Sequence, residues 1–346
     1  LSKIAFERQR ETEILESSEN QHLMTTLPAS YLERYLAPFE RWLTDDEIIE
    51  LAINTDGRVW IERRGADAME PVALTVDPTD AVNLGMTIVG DAKARVSEKN
   101  PLVSGKVAFK GRPLRVQVVV SPAVEAGASI TIRLFGRADI RSYRPEYLLG
   151  KAISLAEMRA AKLSEVTELA GTNLPTALKE LVAHRLNILV SGGTSTGKTT
   201  FARHLLSHVP DAERLITIED AFELFPHQPN SVCLLADRRK DSPRPAGALL
   251  QASLRMRPDR IVVGELRGAE ALTYLEAINT GHGGSVSTIH ADTAELAIDR
   301  LAIMVLQAGT PLTLDEVRTY IRKSIDVIVQ LGRADGRRGV SEVMIL

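Results

Sequence analysis

Gly192-Gly193-Thr194-Ser195-Thr196-Gly197-Lys198-Thr199 fits the spacing G-x-x-x-x-G-K-[ST], and its surroundings decide the fold. The apolar run Leu186-Val190 before it reads as a buried strand, and Phe201, Leu205 and Leu206 after it follow helical spacing. Strand, glycine-rich turn and helix in that order build an anion nest: successive N–H groups point inward and the helix N-terminus adds its dipole. The stretch from Gly192 to Thr200 is therefore a candidate nucleotide phosphate cradle made of Gly192, Gly193, Thr194, Ser195, Thr196, Gly197, Lys198, Thr199 and Thr200. Lys198 would meet the β- and γ-phosphates, and the Thr199 hydroxyl would bind Mg²⁺.

Outward from the cradle, strand-like runs at Leu186-Val190, Leu215-Ile218, Arg260-Val263 and Gly284-Thr288 alternate with helical ones. That alternation predicts an α/β half with a mostly parallel sheet and crossover helices. Ile325-Leu331, the turn Asp335-Gly336 and Val340-Leu346 predict an added antiparallel hairpin, and Asp237-Pro245 reads as a solvated, charge-rich connection. The first half reads as α+β. It opens with a helix whose apolar positions are Leu32, Tyr35, Leu36 and Phe39. Asp56-Gly57 between Ile48-Ile53 and Arg58-Ile61 is a hairpin signal, and a second strand pair is expected at Leu114-Val120 and Ser129-Leu134. Pro145, Gly150 and the helical stretch Leu155-Leu169 look like a connection. The expected division is a polar extension over 1–23, an α+β domain over 24–150, a helical linker over 151–170 and a P-loop domain over 171–346.

Composition agrees with two cored domains: 346 residues, 44% hydrophobic and 25% charged, exclude disordered, collagenous and disulfide-scaffold classes. Forty-two Lys plus Arg against 45 Asp plus Glu leave a net charge of -3, so a nucleic acid partner would need a local basic patch. Cys233 alone forms no internal disulfide, fits a reducing cytosol and reads as a small buried residue. No apolar run approaches the ~18–20 residues of a spanning helix, so a soluble protein is expected. Leu1 to Leu23 lacks signal-peptide character and reads as a solvated helix or added sequence, with Met24 a candidate natural start.

Hydrolysis needs more than a cradle: a group to orient water, and carboxylates around the metal. Three carboxylates, Glu219, Asp220 and Glu223, crowd the end of the strand at Ile216-Ile218, the edge where open α/β sheets bind ligands. A second apolar strand, Arg260-Val263, ends in Gly264-Glu265. A glycine-rich turn, Thr280 to Ala291, is bracketed by His282 and His290, and a neutral imidazole at either position can donate to a phosphate oxygen. No Cys/His cluster has zinc spacing.

Taken together, GGTSTGKTT at 192–200, TIEDAFEL at 217–224, LRMRPDRIVVGELR at 254–267 and TGHGGSVSTIHA at 280–291 resemble the Walker A, Asp, Walker B and His boxes of the secretion ATPase superfamily. The close match is its VirB11 branch. The Walker B strand departs from the usual pattern, with Gly264 where an Asp is more common. The N-terminal half matches more loosely, through Asp45-Asn54, Val59-Glu62, Leu114-Gln117 and Ile130-Arg133. The resemblance implies a RecA-like P-loop NTPase domain with a smaller α+β N-terminal domain, assembled as a two-tiered homohexameric ring, with ATP and Mg²⁺ held between the two domains of a subunit. By carry-over, Arg115 and Arg133 would reach the γ-phosphate, with Arg257 completing the charge clamp. Glu265 leads for water activation or metal organisation, Glu223 and Glu219 contribute to the metal and water shell, and Arg267 is a candidate partner for an Asp-box carboxylate. The implied role is a cytoplasmic ATPase motor, peripheral at the inner membrane, that powers type IV secretion or conjugation. Its implied partners are other secretion-system ATPases and inner-membrane components, with nucleic acid contact at most indirect. The alternatives are a type IV pilus or type II secretion ATPase, a DNA-translocating helicase, and a non-hydrolysing nucleotide switch. RMRPDR and the absence of a four-cysteine module argue against the first, and 4% aromatics against the stacking stripe of the second.

Overall fold

The structure, a computed structural model, describes residues 30–136, 141 and 143–346. The polar extension 1–23 and the candidate start Met24 lie outside the described residues.

Ser30 caps the first helix, α1 (Tyr31–Leu36), through reciprocal bonds with Glu33. A 3₁₀ turn (Ala37–Phe39) containing Pro38 and a short helix, α2 (Glu40–Leu43), follow. Leu32, Leu36 and Phe39 are buried as expected, whereas Tyr35, at the edge of the stripe they form, faces out. Next come β1 (Ile48–Ile53), β2 (Arg58–Arg63), β3 (Glu70–Thr75), α3 (Pro78–Asp91), β4 (Leu102–Phe109), β5 (Arg112–Val120) and β6 (Ala128–Leu134). The six strands form an antiparallel sheet ordered β3-β2-β1-β6-β5-β4. Both expected hairpins are present, β1–β2 around Asp56-Gly57 and β5–β6 through 121–127. One face packs under α1 to α3 around Leu36, Leu43, Ile61, Leu84 and Ile130.

The second half runs α4 (Leu155–Thr172), α5 (Leu174–Ala183), β7 (Ile188–Gly192), α6 (Lys198–Leu206), β8 (Leu215–Glu219), β9 (Ser231–Leu235) and α7 (Ala246–Ser253). It continues through β10 (Arg260–Val263), α8 (Glu270–Asn279), β11 (Val286–Ile289), α9 (Ala294–Gln307), α10 (Leu314–Ser324), β12 (Val327–Ala334) and β13 (Arg337–Ile345). The sheet order is β13-β12-β7-β11-β10-β8-β9, parallel throughout except for the terminal hairpin. The four expected strands and the hairpin all form. The edge strand β9 is additional and carries Cys233, whose thiol burial pushes up. Helix α4, read as a linker, packs through Val166 into one core with Leu181 and Leu205, and Arg159 on it donates to buried Asp326 at 2.6 Å.

The two sheets share a core. Val119, Ala123 and Val124, which follow or end β5, pack with Ile216, Leu234 and Leu250, and the Leu235 N–H donates to the Ala123 carbonyl at 2.8 Å. The β9 edge is thereby covered instead of left open to pairing. At the opposite end of β8 and β9 Arg214 is fully buried: it donates to the Asn54 side-chain carbonyl (2.7 Å), to Asn230 and to the Met256 carbonyl (2.9 Å). Asn54 in turn donates to the Asn230 Oδ1 at 3.0 Å. Arg214→Met fills the space but takes the Arg214 donor from the Asn54 side-chain carbonyl and the Met256 carbonyl, at about 1–3 kcal/mol each where water cannot enter. Its urea midpoint is expected to fall clearly below that of the unmodified chain, and an unchanged midpoint would remove Arg214 from the account of how the halves are joined.

Candidate active site

β7 delivers the chain to the carboxyl edge of the sheet, and α6 starts six residues after it ends. Gly197, the residue before α6, sits at φ 93°, a conformation only glycine adopts cheaply, and this turn presents the first N–H groups of α6 to the cavity. The Lys198 ammonium is bent back over the loop, donating to the carbonyls of Gly192 (2.9 Å) and Gly193 (3.0 Å). Thr196 also donates to the Gly193 carbonyl, at 3.0 Å. Residues Thr194 to Thr200 line a cavity of about 540 Å³ together with Glu219, Glu223, Glu265, His290 and, from the terminal hairpin, Arg338.

The acidic residues divide by their partners. Glu219 is buried, with Oε1 accepting from the Thr217 hydroxyl (3.0 Å) and Oε2 from the Glu223 and Leu224 N–H groups (2.8 and 2.9 Å). Both of its oxygens are thus engaged in shaping the loop after β8, while the Glu223 side chain stands exposed at the cavity wall. Gly264 explains the unusual Walker B sequence, since a Cβ there would lie 3.2 Å from Glu219 Cγ and 3.6 Å from its Cα. An Asp in its place would press a second carboxylate on Glu219.

Glu265 accepts from Arg267 at 2.6 Å and lies 3.3 Å from His290 Nε2. Lys198 Nζ is 3.4 Å from His290 Nδ1 and 3.3 Å from its Nε2. Burial, only partly offset by Glu265, lowers the His290 pKa, so the ring is neutral at pH 7. The tautomer protonated at Nε2 can donate to Glu265, while Lys198 Nζ stands nearly equidistant from the two ring nitrogens. Lysine, imidazole and carboxylate from three separated sequence boxes therefore meet in one cavity. Arg267 also reaches Asp220 at 3.3 Å, the Asp-box pairing expected of it.

The three remaining arginines lie elsewhere. Strand register puts Glu62, Glu50, Arg133 and Arg115 in one row across β2, β1, β6 and β5. Arg115 and Arg133 are exposed and line a second cavity of about 200 Å³ with Glu50, Arg257 and His282. Arg257 is held by Glu62 (2.7 and 2.9 Å) and by Asp259. The two cavities share no lining residue, and the P-loop cavity takes none from the N-terminal sheet. Within one chain the nucleotide site is thus not enclosed between the two domains as the resemblance implied, and His282 belongs to the second cavity.

The family profile described as "Type II/IV secretion system protein" matches residues 36–338. The chain belongs to that family. It is 31% identical to the type IV secretion system protein VirB11 of Bartonella quintana over 94% of this chain and 96% of that one. Identity to VirB11 of Brucella suis biovar 1 is 35%, over 91% and 90%. The crystal structure of the VirB11 ATPase from the Brucella suis type IV secretion system, in complex with sulphate, superposes with a TM-score of 0.80 at 32% identity, covering 92% of this chain and 95% of that one. This family member is an ATPase of the VirB11 type, with the mixed α/β architecture expected from its boxes.

Two groups escaped the sequence reading. Arg238, in the loop read as a solvated connection, binds Asp220, Glu270 and the Glu265 carbonyl. The available signal was positional: the loop after a strand neighbouring the Asp-box strand leaves the sheet at the same edge. Glu50 is the other, a carboxyl that burial raises to about 7 despite the opposing Arg133 charge. A glutamate raised in the folded state gives its full stabilisation below the unfolded pKa of about 4.3 and loses it as pH rises through about 7. Glu50→Gln is therefore expected to melt several degrees above the unmodified chain near pH 8, with the gain vanishing towards pH 4. Melting curves that stay parallel across that range would contradict the buried carboxyl.

Proposed function

We propose that the chain is the motor of a type IV secretion system, hydrolysing MgATP as a homo-oligomeric ring, six-fold by resemblance, to drive machine assembly and substrate transfer. The observation that carries this reading is the convergence of Lys198, His290 and Glu265 on one phosphate cradle. Lys198 leaves the Gly192 and Gly193 carbonyls for the β- and γ-phosphates, which hold an ammonium more strongly than neutral carbonyls do. Glu265 orients the attacking water, and neutral His290 reports a γ-phosphate oxygen to it. The Thr199 hydroxyl and the Glu223 and Glu265 carboxylates are hard oxygen donors of the kind Mg²⁺ takes. These residues would hold the ion, which would neutralise charge on the phosphates. Glu219 serves that shell by fixing the loop that carries Glu223. ATP is the nucleotide by resemblance, as no guanine-reading Asn-Lys-x-Asp sequence is present.

Arg115, Arg133 and Arg257 line a cavity separate from their own P-loop, so we assign them to the γ-phosphate of a neighbouring copy. An arginine supplied by a partner makes hydrolysis conditional on assembly. No described helix is long and apolar enough to cross a membrane, and we place the ring at the cytoplasmic face of the inner membrane through contacts with membrane components and other secretion-system ATPases. Any nucleic acid contact is indirect.

Phosphate release per chain is expected to rise with protein concentration, and both Lys198→Ala and Glu265→Gln to lower it at least about 10²-fold. Glu265→Gln should still bind ATP, while Lys198→Ala should bind it weakly. Tight ATP binding with no phosphate at any concentration would make the chain a nucleotide switch.

A further inference from the structure

Behind the cavity, the loop after β9 sends Arg238 back across the carboxyl ends of β8 and β10. All three guanidinium nitrogens are used: Nε donates to Asp220 Oδ2 (2.6 Å), Nη1 to Glu270 Oε1 (3.0 Å) and Nη2 to the Glu265 carbonyl (3.1 Å). One planar fork thus ties the ends of β8, β9 and β10 to the start of α8. Arg238 is not among the residues lining the P-loop cavity, although Asp220 and Glu265 are.

The groups that Arg238 holds are those that fix Glu265. Asp220 shares Oδ2 with Arg267, whose Nη2 holds the Glu265 carboxylate at 2.6 Å. Glu270 Oε1 accepts from the N–H groups of Arg267 (2.9 Å) and Gly268 (3.2 Å), pinning the backbone just after Glu265. Three carboxylates, Asp220, Glu265 and Glu270, are balanced here by two guanidiniums, Arg238 and Arg267, with His290 and Lys198 on the cavity side. Without Arg238, Arg267 alone faces all three, and Asp220 competes with Glu265 for it.

We propose that Arg238 is a positioning residue for Glu265, holding its carbonyl directly and its carboxylate through Asp220 and Arg267. This rests on the reading that Glu265 acts on the attacking water. Such support matters to rate, because misplacing a reacting group by about 1 Å costs on the order of 10²-fold. It matters little to nucleotide binding, since Arg238 touches no part of the cradle. As Arg238 is one-third exposed, its ion pairs add little to global stability.

The test uses the full chain with Arg238→Gln, Arg238→Lys, Glu265→Gln and the double variant Arg238→Gln/Glu265→Gln. Steady-state phosphate release gives kcat and KM, and a fluorescent ATP analogue gives affinity. Arg238→Gln is expected to lower kcat roughly 10- to 100-fold, with KM and analogue affinity within about twofold of the unmodified chain. Arg238→Lys, keeping the charge but not the fork, should recover part of that loss and stands in if Arg238→Gln does not fold. The double variant should be no slower than Glu265→Gln, because Arg238 works through that residue. A kcat unchanged in Arg238→Gln, a loss of analogue affinity that matches the loss of kcat, or a double variant slower still would each overturn the proposal. Full activity of Glu265→Gln would instead show that the underlying reading had failed.

Discussion

A lysine ammonium buried at the start of a helix, where the dipole opposes it, has to be held by something. Lys198 is held by two carbonyls of its own loop and by a neutral imidazole, while burial lowers its pKa. None of these hydrogen-bond partners carries a full negative charge, and the Glu265 carboxylate only partly offsets the burial, so a polyphosphate in direct contact is a better partner. That preference requires the strand, the turn and the helix to be rigid, which explains why β7 sits inside the sheet between β12 and β11. The buried strands thus serve the site by fixing one cation at one edge.

The same edge has to gather carboxylates without letting them repel one another. Parallel strands do this by ending together: β8 contributes Glu219 and Asp220, and β10 contributes Glu265. Glu219 is neutralised by N–H groups, whereas Asp220 and Glu265 are matched by guanidiniums. Glu223 stands exposed at the cavity wall, with neither an N–H group nor a guanidinium against its carboxylate among the described residues. Gly264 is part of this solution, since the approach of β10 to Glu219 leaves little room for a side chain.

What was legible in the sequence was what is local. The cradle, the alternating strands, both N-terminal hairpins and the terminal hairpin follow from spacing and turn residues. Tyr35 stands at the edge of the apolar stripe it was read into, and β9 went unread although it is as long as β7 and β8. Partner choice was hidden too. Arg238 meets Asp220 only because β9 lies beside β8, and Glu50 meets Arg133 only through the β1–β6 register. Sheet order and register are long-range outcomes, so the roles of Glu219 and Glu223 could be separated only once the loop between them was folded. The carry-over of Arg115, Arg133 and Arg257 placed them on the nucleotide of their own subunit, whereas in the folded chain they line one cavity separate from their own P-loop.

That last point gives the fold its functional logic: one chain supplies a cradle with the Glu265 carboxylate beside it, and its arginines face another cavity. The most direct measurement is complementation by mixing Lys198→Ala, which keeps its arginines, with Arg115→Ala/Arg133→Ala, which keeps its cradle. Each protein alone is expected to release almost no phosphate, and the mixture to regain a measurable fraction of the unmodified rate. A mixture as silent as its components, under conditions where the two co-assemble, would contradict catalysis across copies.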